Sequence, residues 1–321
     1  MADVYIVPDA DTLERIGDVP GADIRVWDLS VDPEEAGIDP AAVRGVLVPN
    51  YFFSPDGWRR LQQLPAVRLV QLPSAGFEHA LRFIPPQAAL ANGAGVHDAE
   101  TAEHAVGLAL ASVRGLDRAF DAQRSGRWAP ELSRSFVDRR VTVVGFGHIG
   151  EAIVSRLLPF EVEVEVVARH ERDAVVDGRS IHVRPIDELD AVLPATDVLI
   201  LILPLNDASR GLIDARRLAL LPDGAHVVNV ARGGIVVTDD LTAEVRRGRL
   251  YTALDGTDPE PLPAGHPLWH LAGAIITPHI GGLTDATPPR VSRLWKRQIA
   301  ALVRGETPIN LVETGTAGHE S

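Results

Sequence analysis

The 321-residue chain has no cysteine, which excludes disulfides, iron–sulfur clusters and thiol catalysis. That absence suits a reducing cytosol. Basic residues are outnumbered, 31 Lys and Arg against 44 Asp and Glu, giving a formal charge of −13. The balance argues against nucleic-acid binding, which needs clustered cations, but leaves room for a local cationic pocket. Long hydrophobic runs are missing as well. The most apolar stretch, Asp197 to Leu205, is one buried strand in length, far short of the roughly 20 residues of a membrane span. Met1 to Tyr5 show no basic region leading into an apolar core, so a cytoplasmic protein without signal or membrane segment is expected. No two histidines have HExxH or similar spacing, and no metal is expected. Repeats at solenoid spacing are absent.

What is present is an alternation of short apolar runs and helical patterns, which predicts an α/β fold with largely parallel sheets covered on both faces. Val4–Val7, Ile24–Trp27, Val43–Val48 and Val67–Gln71 read as strands. Pro55 to Leu64 reads as a helix with Ser54 at its cap. These form a first α/β domain. Thr101 to Arg118 reads as one long helix with a small, apolar face. In it, His104 is assigned to packing. Ser125 to Val137 reads as irregular. A second α/β unit follows, with strands at Val141–Val144, Val162–Val167, Val198–Leu203, Ala225–Asn229, Ala253–Asp255 and Ala274–Thr277. Val291 to Val303 is a final amphipathic helix, and a loose tail is expected beyond it.

The run VTVVGFGHIG, Val141 to Gly150, places Gly145, Gly147 and Gly150 in a GxGxxG pattern between an apolar strand and a helix. That context predicts a dinucleotide site: Gly145 for the tight turn, Gly147 for approach of the pyrophosphate, Gly150 for close helix–strand packing. The helix N-terminus then faces the phosphates. The next strand ends in Ala168 and Arg169, where an acid commonly receives the adenosine ribose hydroxyls. A guanidinium there suits a 2′-phosphate, which favours NADP over NAD.

Three polar residues follow strands in the second half. Arg232, in NVARGG, has the fixed donors that hold a carboxylate and a carbonyl oxygen. His279, in TPHIGG, suits proton transfer near neutral pH. Glu260, in DPEPLP, is the carboxylate that would orient His279 and stabilise its protonated form. Strand exits are where open α/β sheets bind ligands.

Together with LILPLNDASRGLID (Leu201 to Asp214), NVARGGIVVTDDL (Asn229 to Leu241), ALDGTDPEPLPAGHPLW (Ala253 to Trp269) and ITPHIGG (Ile276 to Gly282), these motifs resemble the D-isomer-specific 2-hydroxyacid dehydrogenases, glyoxylate/hydroxypyruvate reductases among them. The resemblance implies an oxidoreductase moving a hydride between NAD(P)H and a small 2-oxo or 2-hydroxy acid. It makes Arg232 the substrate-binding residue, His279 the acid/base and Glu260 its partner. It also implies two Rossmann-like domains, with the cofactor domain (101–283) inserted into a flavodoxin-like substrate domain (1–100). A helix at 284–312 would return to the substrate domain ahead of a tail at 313–321, the cleft would lie between the domains, and the protein would be a homodimer. Cofactor contacts would include His148, Ile149, Pro204, Ala231 and Asp255 beside the residues above, with Asp255 at the nicotinamide amide. In the turn LPSAGFE (Leu72 to Glu78), the N–H groups of Ala75 and Gly76 would hold the substrate carboxylate, an anion nest. The aromatic run Asn50 to Phe53 has two readings, a wall of the cleft or ordinary core and loop packing.

Two departures from the family pattern stand out. Gly256 and Thr257 follow Asp255 where valine and an aromatic are common. The stretch between Arg232 and Glu260 is one residue short, which points to the turn around Tyr251 and Thr252. Two alternatives remain open: a phosphite or other small-anion dehydrogenase on the same scaffold, and a non-enzymatic corepressor that senses the dinucleotide. Family formate dehydrogenases pair the histidine with glutamine, and Glu260 argues against that assignment.

Overall fold

Apolar runs without polar alternation become strands buried on both faces, the condition of a parallel sheet between helices. The computed structural model describes residues 3–49, 54–77 and 79–312; the Asn50–Phe53 run, Glu78 and the tail lie outside them. The chain divides into two compact units, one of residues up to His97 and from Asp285 on, the other Asp98–Thr284.

In the first unit β1 (Asp3–Val7), β2 (Ala22–Val26), β3 (Val43–Leu47), β4 (Leu69–Gln71) and β5 (Ala89–Ala91) pair in the order β2-β1-β3-β4-β5. All four pairings are parallel, the flavodoxin-like order. Helix α1 (Ala10–Ile16) starts where the Asp9 carboxylate accepts from Thr12 N at 2.6 Å. Helix α2 (Pro55–Arg60) has Ser54 accepting from Gly57 N, as its sequence signals. It is shorter than expected, because Leu61–Gln63 tighten into a 3₁₀ turn.

The last helix of the chain packs on this sheet. Its residues Thr287–Arg304 bring Trp295, fully buried, against β1, where the indole N–H donates to the Ile6 carbonyl. Gly45 on β3 makes the room: a Cβ there would lie 2.9 Å from the Trp295 ring. Gln298 is also fully buried. Its amide nitrogen donates to Gln71 Oε1 and the Ile309 carbonyl, and its oxygen accepts from Ile309 N. Gln71 in turn donates to the carbonyls of Leu72 and Asn92. A buried amide pair satisfied in this way fixes the helix in one register.

The second unit carries β6 (Arg140–Val144), β7 (Glu163–Ala168), β8 (Arg172–Val176), β9 (Arg179–Pro185), β10 (Val198–Leu201), β11 (His226–Asn229), β12 (Tyr251–Leu254) and β13 (Ala274–Ile276). Their order is β13-β12-β11-β10-β6-β7-β9-β8, parallel except for the β8–β9 hairpin at one edge. Its helices are α3 (Asp98–Val113), α4 (Leu116–Arg124), α5 (His148–Leu157), α6 (Leu189–Val192), α7 (Ala215–Leu220) and α8 (Thr238–Arg246), and the returning helix above is α9. On β10, Val198 and Ile200 face the core under α3 and α5, while Leu199 and Leu201 face the core under α7 and α8. That two-residue alternation places helices on both faces.

The single helix expected over Thr101–Arg118 is two. Gly115 takes the left-handed conformation (φ 62°, ψ 38°) between α3 and α4. Tyr251 and Thr252 are the first residues of β12 and not a turn; the turn before them contains Gly248 at φ 70°. Among the described residues no helix is long and apolar enough to cross a membrane.

At the amino end of β11, His226 is 3% exposed, its ring stacked 4.8 Å from that of Tyr251, with Nδ1 2.8 Å from Ser112 Oγ on α3. Burial first, then the charges of Arg134, Arg139 and Arg118, lower its pKa from 6.5 to about 3. The folded chain therefore holds it neutral, whereas the unfolded chain protonates it near 6.5. Its contribution to stability is complete above pH 6.5 and falls away as pH drops toward 3. At pH 4.5 that loss is about 3 kcal/mol. Urea unfolding at pH 7 and 4.5 should show a smaller pH-dependent drop for His226→Gln than for wild type. Equal drops would mean that another group carries the effect.

Candidate active site

The exits of β6 and β10, neighbours where the strand order reverses, approach backbone to backbone. Gly145 has φ 110°, and a Cβ on it would lie 2.1 Å from the Ile202 carbonyl oxygen. Gly150 packs on the same loop, its Cβ position 2.2 Å from the Gly145 carbonyl oxygen. Gly147 is open, with no heavy atom within 4 Å of where a Cβ would be. It forms the N-cap of α5 without a side-chain cap. The first bond into this turn is Glu151 N to the Gly147 carbonyl, and the N–H groups of His148, Ile149 and Gly150 have no acceptor among the described residues. Three free donors at a helix N-terminus beside a bare glycine fit a pyrophosphate.

The β7 exit supplies the flank of this loop. Ala168 is buried, and Arg169 is exposed without an acidic partner among the described residues. Glu171 turns to His182, 3.7 Å away. Arg172, which the sequence reading passed over, donates to the Phe146 carbonyl at 2.6 Å and lies over the Phe146 ring. Its signal was a second arginine three residues after Arg169. His148 Nδ1 is 3.6 Å from Asp98. Beyond β10 the Pro204 carbonyl accepts from Ser209 Oγ.

Register sets the second group of residues. Asn229, Leu254 and Ile276 are aligned across β11, β12 and β13. Arg232 and His279 each follow their aligned residue by three, and Asp255 follows Leu254 directly, so all three stand at one end of adjacent parallel strands. Arg232 is half-buried. Its guanidinium donates to the carbonyl of buried Ala231, and no carboxylate among the described residues neutralises it.

His279 Nδ1 lies 2.7 Å from Glu260 Oε1. With Nδ1 committed, Nε2 remains for a reacting proton. His279 is a non-glycine residue at φ 54°, and its N–H is shared between the carbonyls of Asp255 and Thr277, both at 3.0 Å. Asp255, 3% exposed, accepts from Thr277 Oγ1 at 2.6 Å and Ile280 N at 2.9 Å on Oδ1, and from Gly281 N at 2.9 Å on Oδ2. His104 Nε2 on α3 faces the same Oδ1 at 3.2 Å. Burial opposes this charge; the His104, Thr277, Ile280 and Gly281 hydrogen bonds outweigh it and bring the carboxyl from 3.8 down to about 2. His104 is therefore a polar partner and not the packing residue that helical spacing suggested. Among the described residues no group of three or more His, Asp or Glu side chains is arranged to hold a metal.

In the first unit, Ala75 and Gly76 follow β4. The Ala75 carbonyl accepts from Asn92 Nδ2, the Gly76 carbonyl from Ser74 Oγ, and the Ser74 carbonyl from Gly93 N. The N–H groups of Ala75 and Gly76 have no acceptor among the described residues.

The family "D-isomer specific 2-hydroxyacid dehydrogenase, NAD binding domain" matches residues 106–281. The chain is 32% identical over 247 residues to an uncharacterized protein of Corynebacterium melassecola, spanning 75% of this chain and 80% of that one. It is 29% identical over 263 residues to the glyoxylate reductase of Thermofilum pendens, spanning 77% and 75%. Its fold is similar to that of a D-isomer specific 2-hydroxyacid dehydrogenase from Xanthobacter autotrophicus Py2, in complex with NADPH and MES. That pair has a TM-score of 0.77 and 26% identity over 97% of this chain and 98% of the other. With the NAD-binding domain family matching more than half of the chain and the fold shared nearly end to end, this chain belongs to the D-isomer specific 2-hydroxyacid dehydrogenase family.

Proposed function

We propose that the protein is an NAD(P)-dependent reductase of small 2-oxo acids that forms the D-2-hydroxy acid and runs in reverse on it. The observation carrying this reading is the 2.7 Å Glu260–His279 pair at the same sheet end as an unneutralised Arg232. Glyoxylate and hydroxypyruvate are the favoured substrates, supported by the likeness to the Thermofilum pendens glyoxylate reductase. A cysteine-free chain of this kind suits the cytoplasm.

When bound, the reduced dinucleotide supplies the hydride. Gly145, Gly147 and Gly150, with the free N–H groups of His148, Ile149 and Gly150, hold its pyrophosphate; Ala168, Pro204 and Ala231 border it. Asp255 Oδ2, with a single donor, keeps a lone pair for the nicotinamide amide. Arg232 holds the carboxylate and carbonyl oxygens of the 2-oxo acid and stabilises oxygen charge as it develops. The free N–H groups of Ala75 and Gly76 are suited to the carboxylate. His279 gives its Nε2 proton to the forming alkoxide, while Glu260 keeps the ring oriented and balances its charge. In oxidation His279 takes the proton back.

Turnover of glyoxylate, hydroxypyruvate, pyruvate and phenylpyruvate, with phosphite as control, tests this. His279→Ala should lower kcat by about 10²–10⁴-fold with dinucleotide affinity retained. Glu260→Gln, which keeps a hydrogen-bonding group but loses the charge, should fall between it and wild type. Near-normal rates in His279→Ala would force another proton donor; phosphite turnover alone would replace the 2-oxo acid reading.

NADP is proposed over NAD because Arg169 stands at the β7 exit without an acidic partner, and the Xanthobacter autotrophicus relative is described with NADPH. Arg169→Ala should weaken NADPH binding by about 10-fold or more while leaving NADH within about twofold, the loss of one charge-assisted bond. Equal losses at matched salt, or a wild-type preference for NADH, would reverse the assignment.

A homodimer is proposed through the irregular segment after α4. Trp128 and Leu132 are 97% and 102% exposed. Yet the segment around them is tied down, Glu131 to Arg118, Ser133 to Arg114 and Arg134 to the Gly224 carbonyl. An anchored chain presenting two large apolar side chains fits a second copy. Sedimentation should give a dimer for wild type and a monomer for the Trp128→Ser, Leu132→Ser double variant. A wild-type monomer would reject this.

A further inference from the structure

His104 belongs to no motif that suggested chemistry, yet its Nε2 lies 3.2 Å from Asp255 Oδ1 and 3.0 Å from Thr277 Oγ1. Those partners stand at the exits of β12 and β13, 151 and 173 residues further along the chain. The Thr277 hydroxyl has one proton and gives it to Asp255 at 2.6 Å. Facing two acceptors, His104 Nε2 must carry a proton and donate. The turn below is packed close under α3. At Gly281, a Cβ would lie 2.9 Å from Asp255 Oδ2, 3.5 Å from His104 Cδ2 and 3.6 Å from Thr101 Cγ2.

Asp255 is the template of that turn. Its carbonyl accepts from His279 N, and its carboxylate accepts from the next two N–H groups, Ile280 and Gly281. A non-glycine residue at positive φ persists only where its surroundings over-determine it, and for His279 they do so chiefly through Asp255 and Thr277. The carboxylate is fixed in turn by the two side chains that reach it, His104 and Thr277.

We propose that His104 is a positioning residue for the reaction: acting through Asp255 and Thr277, it holds the turn that presents His279 to Glu260 and to the substrate. This rests on the proposed role of His279. The polar contacts of the His104 ring are to Asp255 and Thr277, not to His279 or Glu260.

The test uses the full chain as wild type, His104→Ala, His104→Gln and Thr277→Val. Hydrogen exchange at residues 279–281 is measured without ligand, NADPH affinity by fluorescence, and kcat and KM with glyoxylate. In His104→Ala, exchange there should rise about 10-fold or more and kcat fall by a similar factor, the effect of one lost bond to a charged group. KM for glyoxylate should stay within about twofold, and any loss of NADPH affinity should be smaller than the loss of kcat. His104→Gln, whose amide nitrogen can donate to the same oxygens, should recover most of both. Thr277→Val should loosen the same turn, and it keeps the test open if His104→Ala does not fold. Wild-type exchange or wild-type kcat in a folded His104→Ala overturns the proposal. So does lost NADPH affinity with kcat intact, which would make His104 a cofactor contact. If wild type reduces no 2-oxo acid, the functional reading fails on that result, while exchange still decides whether His104 holds the turn.

Discussion

A carboxylate buried beneath a turn needs donors, and the second unit is arranged around meeting that need at Asp255. Left alone, burial would push its proton affinity up. Four donors reverse the sign and bring the carboxyl down to about 2, so it is charged at neutral pH. Two of those donors are consecutive backbone N–H groups of the segment that follows His279. Satisfying Asp255 therefore shapes that segment, and the shape includes the left-handed backbone of His279. The Glu260 contact follows from it, because only a ring held in one place keeps a 2.7 Å bond to a carboxylate on another loop.

The dinucleotide side of the unit follows a different logic. There the scarce resource is space. Gly145 and Gly150 sit where any side chain would collide with backbone, and Gly147 sits where a side chain would collide with nothing in the protein. Two closed positions and one open one separate the glycines that pack the fold from the one that faces outward. The free N–H groups of α5 point from the same turn.

Much of this was legible in the sequence, for physical reasons that differ by element. Strands such as Val198–Leu201 were readable because burial on both faces writes a continuous apolar run. The β8–β9 hairpin was not, since β8 at the sheet edge and β9 beside it both carry mixed residues, although Asp177–Gly178, both at positive φ, was a hairpin-turn signal available to be read. The break between α3 and α4 rests on one glycine, which helical periodicity tolerates. His104 escaped for a deeper reason. Helical spacing reports which face a residue occupies, and its partners at Asp255 and Thr277 are non-local, so nothing near His104 in the chain announces them. Arg232, Glu260 and His279 could be singled out because their motifs are local, even though the 2.7 Å Glu260–His279 contact joins separate loops.

At Gly256 and Thr257 the chain is fitted tightly to the loop that bears Arg232. Gly256 brings β12's exit so close to the arginine loop that a Cβ would lie 3.1 Å from the Ala231 carbonyl oxygen and 3.2 Å from Gly233 N. Gly233 answers from the other side, its Cβ position within 2 Å of the Thr257 carbonyl group. Thr238 Oγ1, at the start of α8, donates to the Asp258 carbonyl. The loop bearing Arg232 and the segment leading to Glu260 are thus fitted backbone to backbone. A larger residue at Gly256 or Gly233 would separate them. The loop that carries Arg232 and the segment that leads to Glu260 are then coupled through main chain, which has few rotamers to lose.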